Sequence, residues 1–141
     1  MTGGLGGVRF WVMAAQAPEY VLYSVPGESH FRLDQHQVEL VYADWDGDGV
    51  YQSLAFRRDL RDFATHLRVG DRSRPSLQAS LAILADALAT TDSDPDSAGD
   101  ARAAAGCERF MNRFVSRLPR GQTRTRIKRD TVLDEVARLG I

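Results

Sequence analysis

HQVELVYADWDGDGVYQSLAFRRDLRDFATHL, residues 36–67, contains the change of period on which the fold turns. Val38, Leu40 and Tyr42 alternate with Glu39, Val41 and Ala43. After the acidic run Asp44-Trp45-Asp46-Gly47-Asp48-Gly49, Val50, Gln52, Leu54 and Phe56 continue the period of two on the returning side. Alternation on both sides of a glycine-rich turn predicts an antiparallel β-hairpin. From residue 57 the spacing lengthens: Leu60, Phe63, Ala64 and Leu67 recur three and four apart. That predicts a helix over 57–68 in which Arg58 and Asp62 can pair across one turn.

Upstream of the hairpin, residues 8–15 (VRFWVMAA), 20–25 (YVLYSV) and 29–33 (SHFRL) are strand candidates, the last two separated by the turn formers Pro26 and Gly27. Residues 1–7 form a loose glycine leader. Downstream, a helix is expected over 76–89 with Leu77, Leu81, Leu84 and Leu88 as its apolar face and Pro75 near its first turn. The polar, acidic stretch 90–100 (TTDSDPDSAGD) predicts an exposed loop. A further helix over 101–118 turns Cys107, Phe110, Met111, Phe114, Val115 and Leu118 inward, with Arg102, Arg109, Arg113, Arg117 and Arg120 near one line on the other side. Residues 120–129 (RGQTRTRIKR) read as a basic arm, and Thr131 with Asp134 matches a capping box for a short last helix. The sum is a single α+β domain over 1–141: an antiparallel sheet of about four to five strands in the N-terminal half, packed against about three to four helices.

Composition narrows the function classes. A chain of 141 residues with 43% hydrophobic and 26% charged residues suits one globular domain. The sequence carries no apolar run of membrane-spanning length and no secretory pattern at its start, so a cytoplasmic protein with no membrane partner is expected. Cys107 is the only cysteine, which excludes an intrachain disulfide and a thiolate-rich metal site. Its place on an apolar helix face marks it as a packing residue. No nucleophile elbow, phosphate-binding glycine loop, HExxH helix or dinucleotide fingerprint occurs. An enzyme reading rests only on a convergence of Glu39, Asp44, Asp46 and Asp48 with His36, as a small metal-dependent enzyme.

Charge is unevenly placed. Residues 1–101 hold 8 basic and 15 acidic side chains, whereas residues 102–141 hold 10 basic and 4 acidic. The basic pole, Arg109, Arg113, Arg117, Arg120, Arg124, Arg126, Lys128 and Arg129, predicts a surface for a polyanion or an acidic partner, a second copy of the chain included. No aromatic residue interleaves with the arm, which weakens a single-strand stacking mode of nucleic-acid binding.

The acidic turn is the sharpest local motif. Counted as an EF-hand, Asp44, Asp46 and Asp48 take positions one, three and five, Gly49 six and the Val50 carbonyl seven. Ala55 stands at twelve, where a bidentate Glu belongs, so at most weak calcium binding is expected. The segment 42–49 also resembles the calcium loops of FG-GAP-type propeller repeats, with Gln52 where that pattern has a further Asp. The resemblance implies a cation held by Asp44, Asp46 and Asp48. Because the motif occurs once and a propeller needs many blades, it extends to the loop and not to the fold. Alternatively the aspartates cap backbone amides of an ordinary hairpin connection. Trp45 is a candidate protein contact if its ring stands out from the tip. The expected function is therefore a non-enzymatic binding or adaptor protein with an acidic hairpin tip and a cationic C-terminal surface. A nucleic-acid accessory protein is the principal alternative.

Overall fold

Two strands rich in β-branched and aromatic residues, β1 (Glu19–Pro26) and β2 (Gln37–Asp44), pair antiparallel from Glu19↔Asp44 to Pro26↔Gln37. They form the centre of the sheet in a computed structural model of the protein, which describes residues 18–26, 37–89, 98–119 and 124–141. The strands expected over 8–15 and 29–33, His30, His36, Arg120 and most of the acidic loop lie outside the described residues. β2 turns back through the acidic run into β3 (Gln52–Ser53), so the hairpin is present. Its returning side is much shorter than the alternation through Phe56 predicts.

The fourth strand comes from the other end of the chain. Residues Arg124–Lys128 form β4, antiparallel to β1 from Glu19↔Lys128 to Tyr23↔Arg124, giving the order β3-β2-β1-β4. The sheet therefore does not belong to the N-terminal half alone, and what reads as a basic arm is in part an edge strand. One buried residue, Ile127, anchors it, and the Arg129 amide extends the pairing by donating to the Pro18 carbonyl at 3.0 Å.

Three helices cover one face: α1 (Arg74–Ala89), α2 (Ala98–Arg113) and α3 (Arg129–Leu139). α1 is central, packing against both α2 and α3. It is buried on nearly every side from Ser76 to Leu88, Leu77 and Asp86 excepted, so the single apolar face read from the sequence is too narrow. Tyr20, Leu22, Val41, Ala43 and Ile127 of the sheet share its core. α2 begins at Ala98, sooner than expected, which puts Asp100 in its first turn. It then tightens after Arg113 into a short 3-10 turn (Val115–Arg117). Phe110 and Val115 are fully buried, Cys107 and Met111 nearly so, and the Phe110 and Phe114 rings stack at 5.1 Å.

α3 follows β4 directly. Its N-cap is Lys128, with no side-chain cap bond, so Thr131 and Asp134 lie inside the helix and do not form the expected capping box. The helix ends in a Schellman turn in which the Gly140 amide donates to Ala137 O and the Ile141 amide to Val136 O. Ile141 then lies against Gly106 of α2, so closely that a Cβ at position 106 would stand 2.6 Å from Ile141 Cγ2.

The helix expected over 57–68 does not form. Arg57 has φ of 60°, in the left-handed region, and its carbonyl accepts the Leu60 amide in a tight turn. Backbone groups that a helix would pair internally are taken by one side chain from α1. Gln78 Oε1 accepts the Phe63 amide at 2.7 Å and the Ala64 amide at 3.2 Å, while Gln78 Nε2 donates to Phe56 O at 2.7 Å. Arg74 Nε donates to Phe63 O at 2.9 Å. Gln78 is itself fully buried, so its amide finds its partners here. The expected Arg58–Asp62 pair forms at 2.8 Å without a helix beneath it. Among the described residues no helix is long and apolar enough to cross a membrane.

Candidate functional site

The period of β4 sorts its residues. Thr125 and Ile127 turn toward the helices, half-buried and buried, and Arg124, Arg126 and Lys128 turn to the outer face, all exposed. Register sets each basic residue beside a β1 neighbour: Arg124 with Tyr23, Arg126 with Val21 and Lys128 with Glu19. Tyr23 and Tyr42 meet edge to face on that side, with ring centroids 5.8 Å apart and planes at 76°.

The three cations are not equivalent. Arg126 Nε lies 3.0 and 3.2 Å from the two oxygens of Glu19, and its Nη2 also bonds that carboxylate. Glu19 further accepts the Tyr51 hydroxyl at 2.7 Å. Hydrogen bonding from Arg126 in the first place, opposed by partial burial and helped by Tyr51, holds the Glu19 carboxyl below its ordinary range. Arg124 and Lys128 make no ion pair or side-chain hydrogen bond among the described residues.

The remaining predicted cations divide in the same way. Arg109 donates to the Leu139 carbonyl at 2.7 Å, tying α2 to the end of α3, and Arg102 donates to Ile141 O at 2.9 Å. Arg129 opens α3 half-buried, and its Nε is a buried donor with no partner. Arg113 and Arg117 are exposed and unpaired among the described residues. The sequence-predicted set thus supplies two pairs of uncommitted cations: Arg124 and Lys128 on the sheet, and Arg113 and Arg117 at the end of α2 and in the turn that follows.

The acidic turn closes on itself. Asp44 is buried at 3% exposure, and its carboxylate accepts the amides of Gly47 at 2.9 Å, Asp48 at 3.2 Å and Gly49 at 2.9 Å. Asp48 in turn accepts the Val50 amide at 3.0 Å. Gly47 and Gly49 take positive φ of 70° and 84° to allow this loop. Asp46 and Asp48 remain exposed, and no group of three or more His, Cys, Asp or Glu side chains is assembled for a metal among the described residues. Trp45 folds back from the tip: half-buried, it donates from Nε1 to Asp86 Oδ1 of α1 at 2.8 Å. Cys107 is buried and its Sγ lies 3.6 Å from Ala104 O; burial pushes the thiol up, as suits a packing residue.

Sequence reasoning missed Glu19, Tyr51, Gln78 and Asp86. Asp86 and Gln78 could have been noticed as polar residues inside the otherwise small and apolar LQASLAILADALA. Nothing local marks Glu19 or Tyr51, because their partner is a strand at the far end of the chain.

Compared with protein-family models, curated proteins and solved structures, the chain shows no match to any of them.

Proposed function

We propose that the protein is a non-enzymatic binding protein, an adaptor that holds an acidic partner protein along the exposed side chains of the edge strand β4, beside the buried Val21 of β1. The observation that carries this reading is the alternation of β4, which turns Arg124, Arg126 and Lys128 outward together and leaves Arg124 and Lys128 without internal carboxylates among the described residues. Side chains two apart on a strand repeat about every 7 Å, a spacing that a row of acidic side chains on an extended partner matches. Glu19 offsets Arg126 alone and keeps it extended over the sheet. The exposed Asp46, Asp48 and Val50 at the hairpin tip offer a second contact of opposite charge, on the far side of β1 from β4.

A second reading, a nucleic-acid accessory protein, is favoured by one observation: Tyr23 and Tyr42 share the face of the three cations. Bases stack on aromatic rings while cations take the phosphates. Fluorescence anisotropy separates the readings, using a labelled oligoglutamate peptide and a labelled oligothymidylate at about 50 mM salt. The adaptor reading predicts that the peptide binds and that Tyr23→Leu leaves its affinity unchanged. Binding of the oligonucleotide alone, weakened by Tyr23→Leu, would replace it with the second reading. No binding of either would remove both.

A further inference from the structure

Between α1 and the segment that leaves β3 lies a cleft of ≈ 190 Å³, away from the outer face of the sheet. Ala82, Ala85 and Ala89 recur at helical spacing along its α1 side, Ala82 and Ala85 fully buried beneath it and Ala89 exposed at its rim, with Asp86 on the same face of the helix. Trp45 and Arg57 stand in the opposite wall. The space exists because the alanines fill none of it. It is smaller than the cavities that hold drug-sized ligands, and suits a group the size of one side chain.

The electrostatics of the cleft point to the sign of that group. Asp86 Oδ2 accepts the Tyr20 hydroxyl at 2.7 Å and Oδ1 accepts the Trp45 indole N–H at 2.8 Å. Both donors are neutral, and Asp86 has no ion pair among the described residues. Two donors also leave the carboxylate with unused acceptor positions. Arg57, the cation nearest at hand in the wall, is already committed: its Nη1 and Nη2 bond Asp100 at 3.0 and 2.8 Å, and its Nε and Nη2 bond Asp59 at 3.1 and 3.2 Å. Arg57 is thus shared between Asp59 and Asp100, and it forms no ion pair with Asp86, the one carboxylate in the lining. A half-buried carboxylate, an aromatic ring and an apolar lining are together the elements that hold an alkylammonium group, by charge-assisted hydrogen bonding and cation–π attraction.

We infer that this cleft is a binding site for an alkylammonium group, carried by a small free amine or by a lysine side chain, with Asp86 as its counter-ion, Trp45 as its aromatic wall and Ala89 at the rim beside its methylenes. The site is independent of the cationic face of β4 and would survive the failure of the adaptor reading.

The test is a titration of the full chain with n-butylammonium chloride, followed by the Trp45 indole N–H resonance, which Trp11→Phe distinguishes from the other tryptophan. Butanol and sodium chloride serve as the neutral and ionic controls. A saturable shift with butylammonium that neither control reproduces is expected. Asp86→Asn should weaken binding by about tenfold or more, and Ala89→Phe, at an exposed position on the rim, should abolish it with the Tyr20–Asp86–Trp45 bonds intact. N-acetyl-lysine methylamide binding more tightly than butylammonium would assign the site to a protein side chain, and weaker binding would assign it to a free amine. An unmoved resonance, an equal response to butanol, or undiminished binding by a folded Ala89→Phe protein would overturn the inference.

Discussion

Glu19 of β1 and Arg126 of β4 are 107 positions apart in the chain and share one ion pair, with Arg126 Nε 3.0 and 3.2 Å from the two Glu19 oxygens. The side chain of Glu19 is 11% exposed and that of Arg126 48%, so the pair lies at the boundary between the sheet and solvent. Screening at such a site limits its contribution to stability. Its clearer consequence is positional: Glu19 also takes the Tyr51 hydroxyl, so one carboxylate ties the strand after the acidic turn to the cationic edge strand.

That arrangement sets a pH dependence. The folded protein holds Glu19 below its ordinary value of 4.5, chiefly through Arg126. A carboxyl with a depressed folded value binds protons more readily when unfolded, so its contribution is complete above about pH 4.5 and is lost as pH falls through the folded value. Chemical denaturation from pH 7 down to about pH 3 is expected to show stability declining below the ordinary carboxylate value. Glu19→Gln should make the decline shallower, and an unchanged slope would separate the pair from acid sensitivity.

Gln78 holds the segment after β3 against α1. Its buried amide satisfies the Phe63 and Ala64 amides and the Phe56 carbonyl, and Gln78→Leu would leave all three with no partner of comparable geometry. A loss of about 2 to 3 kcal/mol in urea denaturation is expected, with accelerated hydrogen exchange at the Phe63 and Ala64 amides. A loss below about 1 kcal/mol would mean that water replaces the side chain freely.

The contact of Ile141 with Gly106 predicts a reversal of sign. In an isolated helix Gly→Ala is worth about 1 kcal/mol in favour of alanine. At position 106 the new methyl would meet three Ile141 side-chain atoms at 2.6, 2.9 and 3.0 Å. Gly106→Ala should therefore fail to stabilise the parent protein, yet should stabilise an Ile141→Ala background by about 1 kcal/mol. Thermal denaturation of the four proteins of the cycle checks this, and equal effects in both backgrounds would contradict it.

The same distinction between local and distant causes explains how far the sequence could be read. β1, the hairpin and α1 to α3 are legible because their apolar residues recur at the period of the element they form. The segment 57–68 has a helical spacing too. Its fate depends on Gln78 and Arg74, which lie beyond it in the chain and compete for its backbone groups through a fold that must already exist. β4 conceals itself differently. In Arg-Thr-Arg-Ile-Lys only Ile127 is both apolar and buried, and the alternation of charged with uncharged residues is too short to stand out from a basic tail. The acidic turn was recognisable as a loop, but the direction of the Asp44 carboxylate, inward to three amides, was one of two readings the spacing allowed.

β4 presents Arg124, Arg126 and Lys128 outward, on the surface proposed for an acidic partner. The most direct measurement compares the affinity of a labelled oligoglutamate peptide for the parent protein and for Arg124→Glu/Lys128→Glu, with far-UV circular dichroism verifying that the fold is kept. Neither residue has an internal ion pair among the described residues, so the double variant should fold unchanged and bind about tenfold more weakly or worse. Equal affinity of the two folded proteins for the peptide would contradict the assignment of that face as the binding surface.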